Sequence, residues 1–241
     1  MGTVSQYAVV QSDNIGSDVT IHEFVVIRPG AVVGNGVVIH PHVVIEDGVI
    51  IGDGVEIFPG AYVGKVPKGA GALARTPEYA PRVTIGSNCS IGPHAIIYYD
   101  VEIGENTLIG DGASIREQCT IGSRSIIGRY TSVLYNCHIG GRTKIMDLVA
   151  VTGNCRIGND VFVAMHVVMT NDNSMGREKY DSERVKGPTI HDGAVIGAGA
   201  TLLPDIEIGK GAVVGAGSVV TRDVHAEATV MGVPAREVEK F

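Results

Sequence analysis

Polar residues with catalytic and binding chemistry recur through the middle of this sequence at one spacing. Asp100, Gln118, Asn136, Asn154 and Asp172 stand eighteen residues apart, and Tyr99, Glu117, Tyr135, Gly153 and Asn171 immediately precede them. Carboxylates placed in a column can orient an amine and accept its proton, and amides and phenols can hold hydroxyl groups. Asp100 and Glu117 are therefore the candidate proton acceptors. Tyr98, Tyr99, Arg116 and Tyr135 add aromatic surface and a cation to the same stretch. The competing explanation is an Asx ladder, in which short polar side chains close tight corners by local hydrogen bonds.

The elements that could hold such a column follow from a six-residue repeat. Ile15, Ile21, Ile27, Val33, Ile39, Ile45, Ile51, Ile57 and Val63 form one aliphatic series. A second runs by sixes from Ile85 to Met169, and a third from Ile190 to Val220. Four residues after each aliphatic position comes a residue no larger than Val, with Ile206 the exception. A large residue alternating with a small one on a fixed period describes the inside of a narrow tube. Six is no helical period, and strict two-residue alternation is not sustained. One short strand plus a corner fits six residues, and three such sides make an eighteen-residue triangular coil. The hexads predict an all-β, parallel β-helix of about ten triangular coils, roughly 48 Å long. Spacing does not reveal its hand. Cys89, Cys119, Cys137 and Cys155 all fall on the small inward position, which makes them buried hydrophobes rather than metal or redox groups.

Composition narrows the partners. The chain has 241 residues, with 19 Lys and Arg against 26 Asp and Glu, a net charge of −7. That balance argues against nucleic acid or an anionic membrane as a partner. No apolar run approaches the ~18 residues of a membrane span, and no secretory signal opens the sequence, so a cytoplasmic location is expected. Gly makes up 33 residues, about twice the usual share, in keeping with a tight corner on every hexad.

The register breaks twice, at residues 64–84 and 170–189. Both segments are too long for a corner and are expected to be extruded loops with a functional role. If the first rejoins on the following face, both leave one edge of the helix, five coils or about 24 Å apart. The polar column lies between them. The whole chain, 1–241, is then a single β-helix domain with a tail at 226–241.

The hexads, together with the ending Gly215-Ala216-Gly217-Ser218-Val219-Val220-Thr221 and Met231-Gly232-Val233-Pro234-Ala235-Arg236, resemble the left-handed β-helix, hexapeptide-repeat acyltransferases. The resemblance implies a left-handed coil, a coenzyme A thioester such as acetyl-CoA as co-substrate, and a homotrimer with sites between neighbouring chains. Ala198, Gly199, Ala216, Gly217, Pro234 and Arg236 would line the acyl-CoA, since small residues let an extended pantetheine approach the backbone. A zinc hydratase similar to the γ-class carbonic anhydrases would need two His five residues apart. The eight His here offer no such pair, so no metal is expected.

The segment Thr170-Asn171-Asp172, where sugar O-acetyltransferases carry a catalytic His, resembles the nucleotide-sugar N-acyltransferase branch. An amine acceptor needs less general-base help than a hydroxyl. The resulting expectation is an acyl-CoA-dependent N-acyltransferase of a nucleotide-linked amino sugar, working by direct amine attack on the thioester. Asp100, Glu117, Asn136 and His166 would line the reacting groove. Tyr98, Tyr99, Arg116, Tyr135, Asn171 and Asp172 would hold the sugar nucleotide. Two alternatives stand beside it: an O-acetyltransferase using His166 or His94, and a non-catalytic β-helix scaffold.

Overall fold

The computed structural model describes residues 2–239, so Met1, Lys240 and Phe241 of the expected domain and tail lie outside it. The chain winds as a left-handed parallel β-helix with three faces. Among the described residues the first face has eleven strands, from Val9–Val10 to Val219–Val220. The second has nine, from Val32–Val33 to Glu207–Ile208, and the third has twelve, from Thr20–Ile21 to Arg236–Val238. Successive strands pass from first to second to third face and back.

Each hexad after Ile15 supplies one strand of two to four residues whose aliphatic residue points inward. Every position of the three aliphatic series is buried except Ile15, which packs partly against the core. The small positions fill the corners of the same interior. There the polar ones satisfy themselves against the next coil: Thr107 Oγ1 donates to the Gly122 carbonyl at 3.2 Å, Ser125 Oγ to Gly140 at 3.0 Å and Thr143 Oγ1 to Gly158 at 2.7 Å. The four cysteines are free and buried, as their register requires.

The coil runs one strand further at each end than the hexads count. Val9–Val10 pairs with Val26–Ile27, and Thr229–Met231 pairs with Val213–Val214. End strands cover only one neighbour, so they escape the large-small alternation that identifies the others. Arg236–Val238 then folds back antiparallel on Thr229–Met231 and closes the exposed strand edge of the third face.

Both loops leave the first face and rejoin on the second in register, with one shift between Ile97 and Tyr98 where the first loop departs. Ile51 pairs with Ile85 across the first loop, and Ile157 pairs with Ile190 across the second. Among the described residues no helix is long and apolar enough to cross a membrane.

Candidate active site

The polar column occupies the corner between the first and second faces. Asp100, Gln118, Asn136 and Asn154 each take the left-handed backbone conformation there, with φ of 64°, 61°, 52° and 66°. Asp and Asn tolerate that conformation through local hydrogen bonding, and this is the local reason for their recurrence. Asn136 Nδ2 donates to Asn154 Oδ1 at 2.7 Å, and Asn154 Nδ2 donates to the Val185 carbonyl at 2.6 Å. The ladder reading therefore holds for these two amides. Asn136 closes a corner, and Asn154 ties down the return of the second loop.

The neighbouring column is not a row of outward side chains. The first loop folds over it. Tyr79 stacks on Tyr99 with ring centroids 6.0 Å apart, and Tyr99, only 7% exposed, donates its hydroxyl to the Asp47 carbonyl at 2.8 Å. Arg75 of the same loop reaches Glu117 and lays its guanidinium 3.5 Å from the Tyr135 ring centroid. Arg116 Nε and Nη2 also donate to Glu117, at 3.0 and 3.1 Å. The Glu117 side chain is 0% exposed. Burial alone would raise its pKa, but the bonds from Arg75 and Arg116 outweigh burial and hold the carboxyl below its usual range. Glu117 is thus a buried, paired anion that anchors a loop, which corrects the expectation of a free proton acceptor beside Asp100.

Asp100 remains accessible. Its backbone N–H caps the loop's return by donating to the Arg82 carbonyl at 2.7 Å. Its side chain lines a groove of about 490 Å³ on the second face, with Glu102, Gln118, Thr120, Asn136 and His138. His138 was not anticipated. Its Nδ1 lies 2.8 Å from Thr120 Oγ1. Burial, then the charge of Arg156, pushes the imidazole below its ordinary pKa. The signal was present: Glu102, Thr120, His138 and Arg156 also stand eighteen apart, one residue before the inward aliphatic.

The groove shares Gln118 and Asn136 with a larger cavity of about 780 Å³ between the two loops. Arg75 enters it from the first loop, Tyr180 and Lys186 from the second, and Tyr135 and Arg156 from the coil. Burial and the adjacent Tyr180 hydroxyl push Tyr135 up to about 12, so its phenol stays protonated and can donate.

Of the expected sugar-nucleotide residues, Tyr135 alone lines this cavity. Tyr98 lies beneath Lys65, whose Nζ donates to its hydroxyl at 2.6 Å, and near Arg116. Asn171 Nδ2 donates to the Gly153 carbonyl at 3.1 Å. Asp172 gives its oxygens to Ser174, to the Gly176 amide and to Arg184, and the Ser174 hydroxyl bond leads the lowering of its pKa. These contacts tie Asn171 to the coil and Asp172 to its own loop.

The acyl-CoA candidates lie elsewhere. Ala198, Gly199, Ala216 and Gly217 form the corner between the third and first faces, where Gly217 N donates to the Ala198 carbonyl at 2.8 Å and Gly199 N to Met165 at 3.0 Å. His94 and His166 stand in the same corner column, at φ of 56° and 61°. Ala235 N donates to the Val219 carbonyl at 2.8 Å, which seats Pro234 and Arg236 against the last coil beside that corner. The width of the first face therefore separates His166 and the small-residue corner from Asp100, and one chain does not bring them together. Within a single chain His166 therefore does not share a groove with Asp100 and Asn136.

Comparison with known proteins agrees with this architecture. The family described as bacterial transferase hexapeptide (six repeats) matches residues 14–47, 30–65 and 187–222. The GMPPB C-terminal domain family matches residues 79–183. A UDP-N-acetylglucosamine acyltransferase from Arabidopsis superposes with a TM-score of 0.70 at 19% identity, over 98% of this chain and 73% of that one. The UDP-N-acetylglucosamine acyltransferase of Bacteroides fragilis gives 0.57 at 19% identity, over 98% and 74%. A serine acetyltransferase of Buchnera aphidicola is 43% identical over 53 residues, 22% of this chain and 19% of its own. One from Synechococcus elongatus is 39% identical over 51 residues, 21% of each chain. This chain spans about a fifth of the length of those two relatives. It is a left-handed β-helix built of transferase-type hexapeptide repeats, and in fold it resembles the nucleotide-sugar acyltransferases.

Proposed function

We propose that the protein is an acyl-CoA-dependent N-acyltransferase acting on an amino group of a nucleotide-linked amino sugar, with acetyl-CoA as the donor. The observation that carries this reading is the cleft at the first corner, where Asp100 lies in a groove that shares Gln118 and Asn136 with the two-loop cavity. The amine attacks the thioester carbonyl carbon to form the carbon–nitrogen bond, Asp100 accepts the amine proton, and the carbon–sulfur bond breaks to release the thiolate, which takes up a proton from Asp100 or water to leave as the thiol. Backbone amides facing the carbonyl stabilise the oxyanion. The matches to acyltransferases and acetyltransferases support the reaction class.

The acyl-CoA corner and the acceptor cleft flank opposite edges of the first face, so the reading requires a second copy to complete each site. A homotrimer supplies it, with the small-residue corner and His166 of one chain meeting the cleft of the next. Exposed Phe24, Tyr130, Leu148 and Met165 beside that corner support a surface covered in assembly. Light scattering at micromolar concentration should return three chains, and a monomer would contradict this arrangement.

A hydroxyl acceptor is the second reading. His138, held by Thr120 next to Asp100, is the observation that favours it. The deciding experiment presents acetyl-CoA with uridine- and thymidine-diphosphate amino sugars, their hydroxy-sugar counterparts and serine. Thiol release matched by one amide per turnover supports the proposal. Ester formation, or no thiol release with any acceptor, contradicts it.

A further inference from the structure

The cavity between the loops has a composition that the polar column does not explain. Three cations from three separate segments line it: Arg75 from the first loop, Arg156 from the second face and Lys186 from the second loop. Each is held by the protein. Arg75 is fixed between Glu117 and the Tyr135 ring, and its side chain is 12% exposed. Arg156 Nη1 donates to the carbonyls of Asn136 and Cys155 at 2.8 and 3.1 Å. Lys186 Nζ stands 3.9 Å from Asp205 Oδ2.

We propose that Arg75, Arg156 and Lys186 form a diphosphate-binding site for the acceptor, a proposal that rests on the nucleotide-linked acceptor of the preceding reading. A guanidinium carries five N–H donors in a planar fork, so the bonds Arg75 and Arg156 make to the protein leave donors for phosphate oxygens. Fixed guanidinium groups bind such oxygens with little entropy left to lose. The cavity also carries two carboxylates, Glu78 and Asp205. Glu117 adds no third, because its carboxylate lies wholly behind Arg75 and turns that fork without meeting a ligand. A nucleoside diphosphate offers both chemistries: phosphate oxygens for the cations, and hydroxyls for the carboxylates to accept from. Tyr135 and Tyr180 supply aromatic surface for a base or sugar ring. The volume, about 780 Å³, is within the range of small-molecule sites. Because two of the cations ride on the two loops, the site exists only when both loops pack on the corner.

Coenzyme A carries a diphosphate of its own, so the test must separate the two sources. Calorimetric titration of the wild-type protein with UDP, inorganic pyrophosphate and coenzyme A is compared with Arg156→Gln, Lys186→Gln and the double variant. Arg142→Gln, which breaks a pair with Asp160 at a different corner, is the control for general charge. The expected result is at least a tenfold weaker affinity for UDP and pyrophosphate in the double variant, a smaller loss in each single variant, and unchanged affinity for coenzyme A. Circular dichroism should show the coil intact in each. The proposal is overturned if the wild type binds neither UDP nor pyrophosphate, if the variants bind them as tightly as the wild type, if Arg142→Gln weakens them equally, or if only coenzyme A binding falls. Loss of pyrophosphate binding in the variants supports the site even if no sugar nucleotide is acylated, and in that case only the preceding reading fails.

Discussion

Replacing Glu117 by Gln separates an anchoring carboxylate from a catalytic one. The substitution keeps volume and one acceptor oxygen but leaves Arg75 and Arg116 without a buried counter-charge. Breaking a buried ion pair by removing one partner costs about 3–5 kcal/mol. The lower end applies here, because Arg75 comes from a loop and can withdraw to solvent. For a chain of this size each kcal/mol moves Tm by about 2–4 °C, so a fall of about 6–12 °C is expected at pH 7. The pH dependence gives a second readout. The folded-state pKa of Glu117 is lowered, so its contribution is fully present above the unfolded value of ~4.3 and is lost as pH falls through the folded value. The Tm gap between wild type and Glu117→Gln should stay constant from pH 7 to about 4.5 and close below that. Thermal unfolding followed by circular dichroism from pH 7 to 3 measures both. Equal Tm at pH 7, or a gap that does not narrow at all as pH falls below about 4.5, would refute the anchor. So would unchanged stability with loss of the acidic limb of the pH–rate profile, which would restore Glu117 as a proton acceptor.

Three further outcomes follow from the site. Asp100→Asn keeps the corner geometry and removes the accessible carboxylate, so kcat should fall about 100-fold or more, with partial recovery at higher pH where the bound amine is already neutral. Steady-state kinetics across pH checks this, and wild-type kcat at neutral pH would reduce Asp100 to a corner residue. Arg236→Glu reverses charge beside the last coil and should raise KM for acyl-CoA far more than KM for the acceptor; equal effects on both would remove Arg236 from the acyl-CoA site. His138 has a lowered folded pKa, so the folded state resists its protonation, and the wild type should lose stability relative to His138→Gln as pH drops below ~6.5. Parallel Tm profiles of the two proteins between pH 8 and 5 would contradict the burial and Arg156 repulsion assigned to it.

The interior of this protein was legible because a β-helix repeats its packing problem every six residues. Ile97, Ile115 and Val133 face the same neighbours one coil apart, so each position carries the same demand and the period appears in the sequence. The edge from which both loops leave was legible for the same reason, since counting coils needs only the hexads. The functional side chains were legible only in part. Column arithmetic places Glu117 above Tyr99 correctly along the backbone, yet it cannot say what covers them. That is decided by Tyr79 and Arg75, which belong to a loop with no period. Arg75 and Tyr180 were missed on the same ground, and Lys186 was legible only as one of several basic residues of its loop: their positions depend on aperiodic loop packing. His138 and Arg156 were missed differently. They sit on the outward strand position, where the interior makes no demand, and only their shared spacing with Glu102 and Thr120 marks them.

The placement of the two half-sites also bears on why the polar chemistry is concentrated on one corner. A β-helix corner every six residues must accommodate a left-handed backbone, and Gly meets that demand at no cost, as at Gly54 and Gly112. Non-Gly residues take it at all three corners of the central coils, as at Asn106, Arg124, Tyr130 and Leu148, and along the loop-bearing edge the chain uses Asp100, Gln118, Asn136 and Asn154 on four successive coils. Each departs from Gly, the least strained residue at a positive φ. Two of them recover that strain through the Asn136–Asn154–Val185 bonds, which also hold the second loop. Asp100 and Gln118 line the groove instead, and Asp100 caps the first loop only through its backbone. Asp100 is therefore set apart not by its backbone, which many corners share, but by a side chain that the corner does not use and that faces a groove beside the cation-lined cavity.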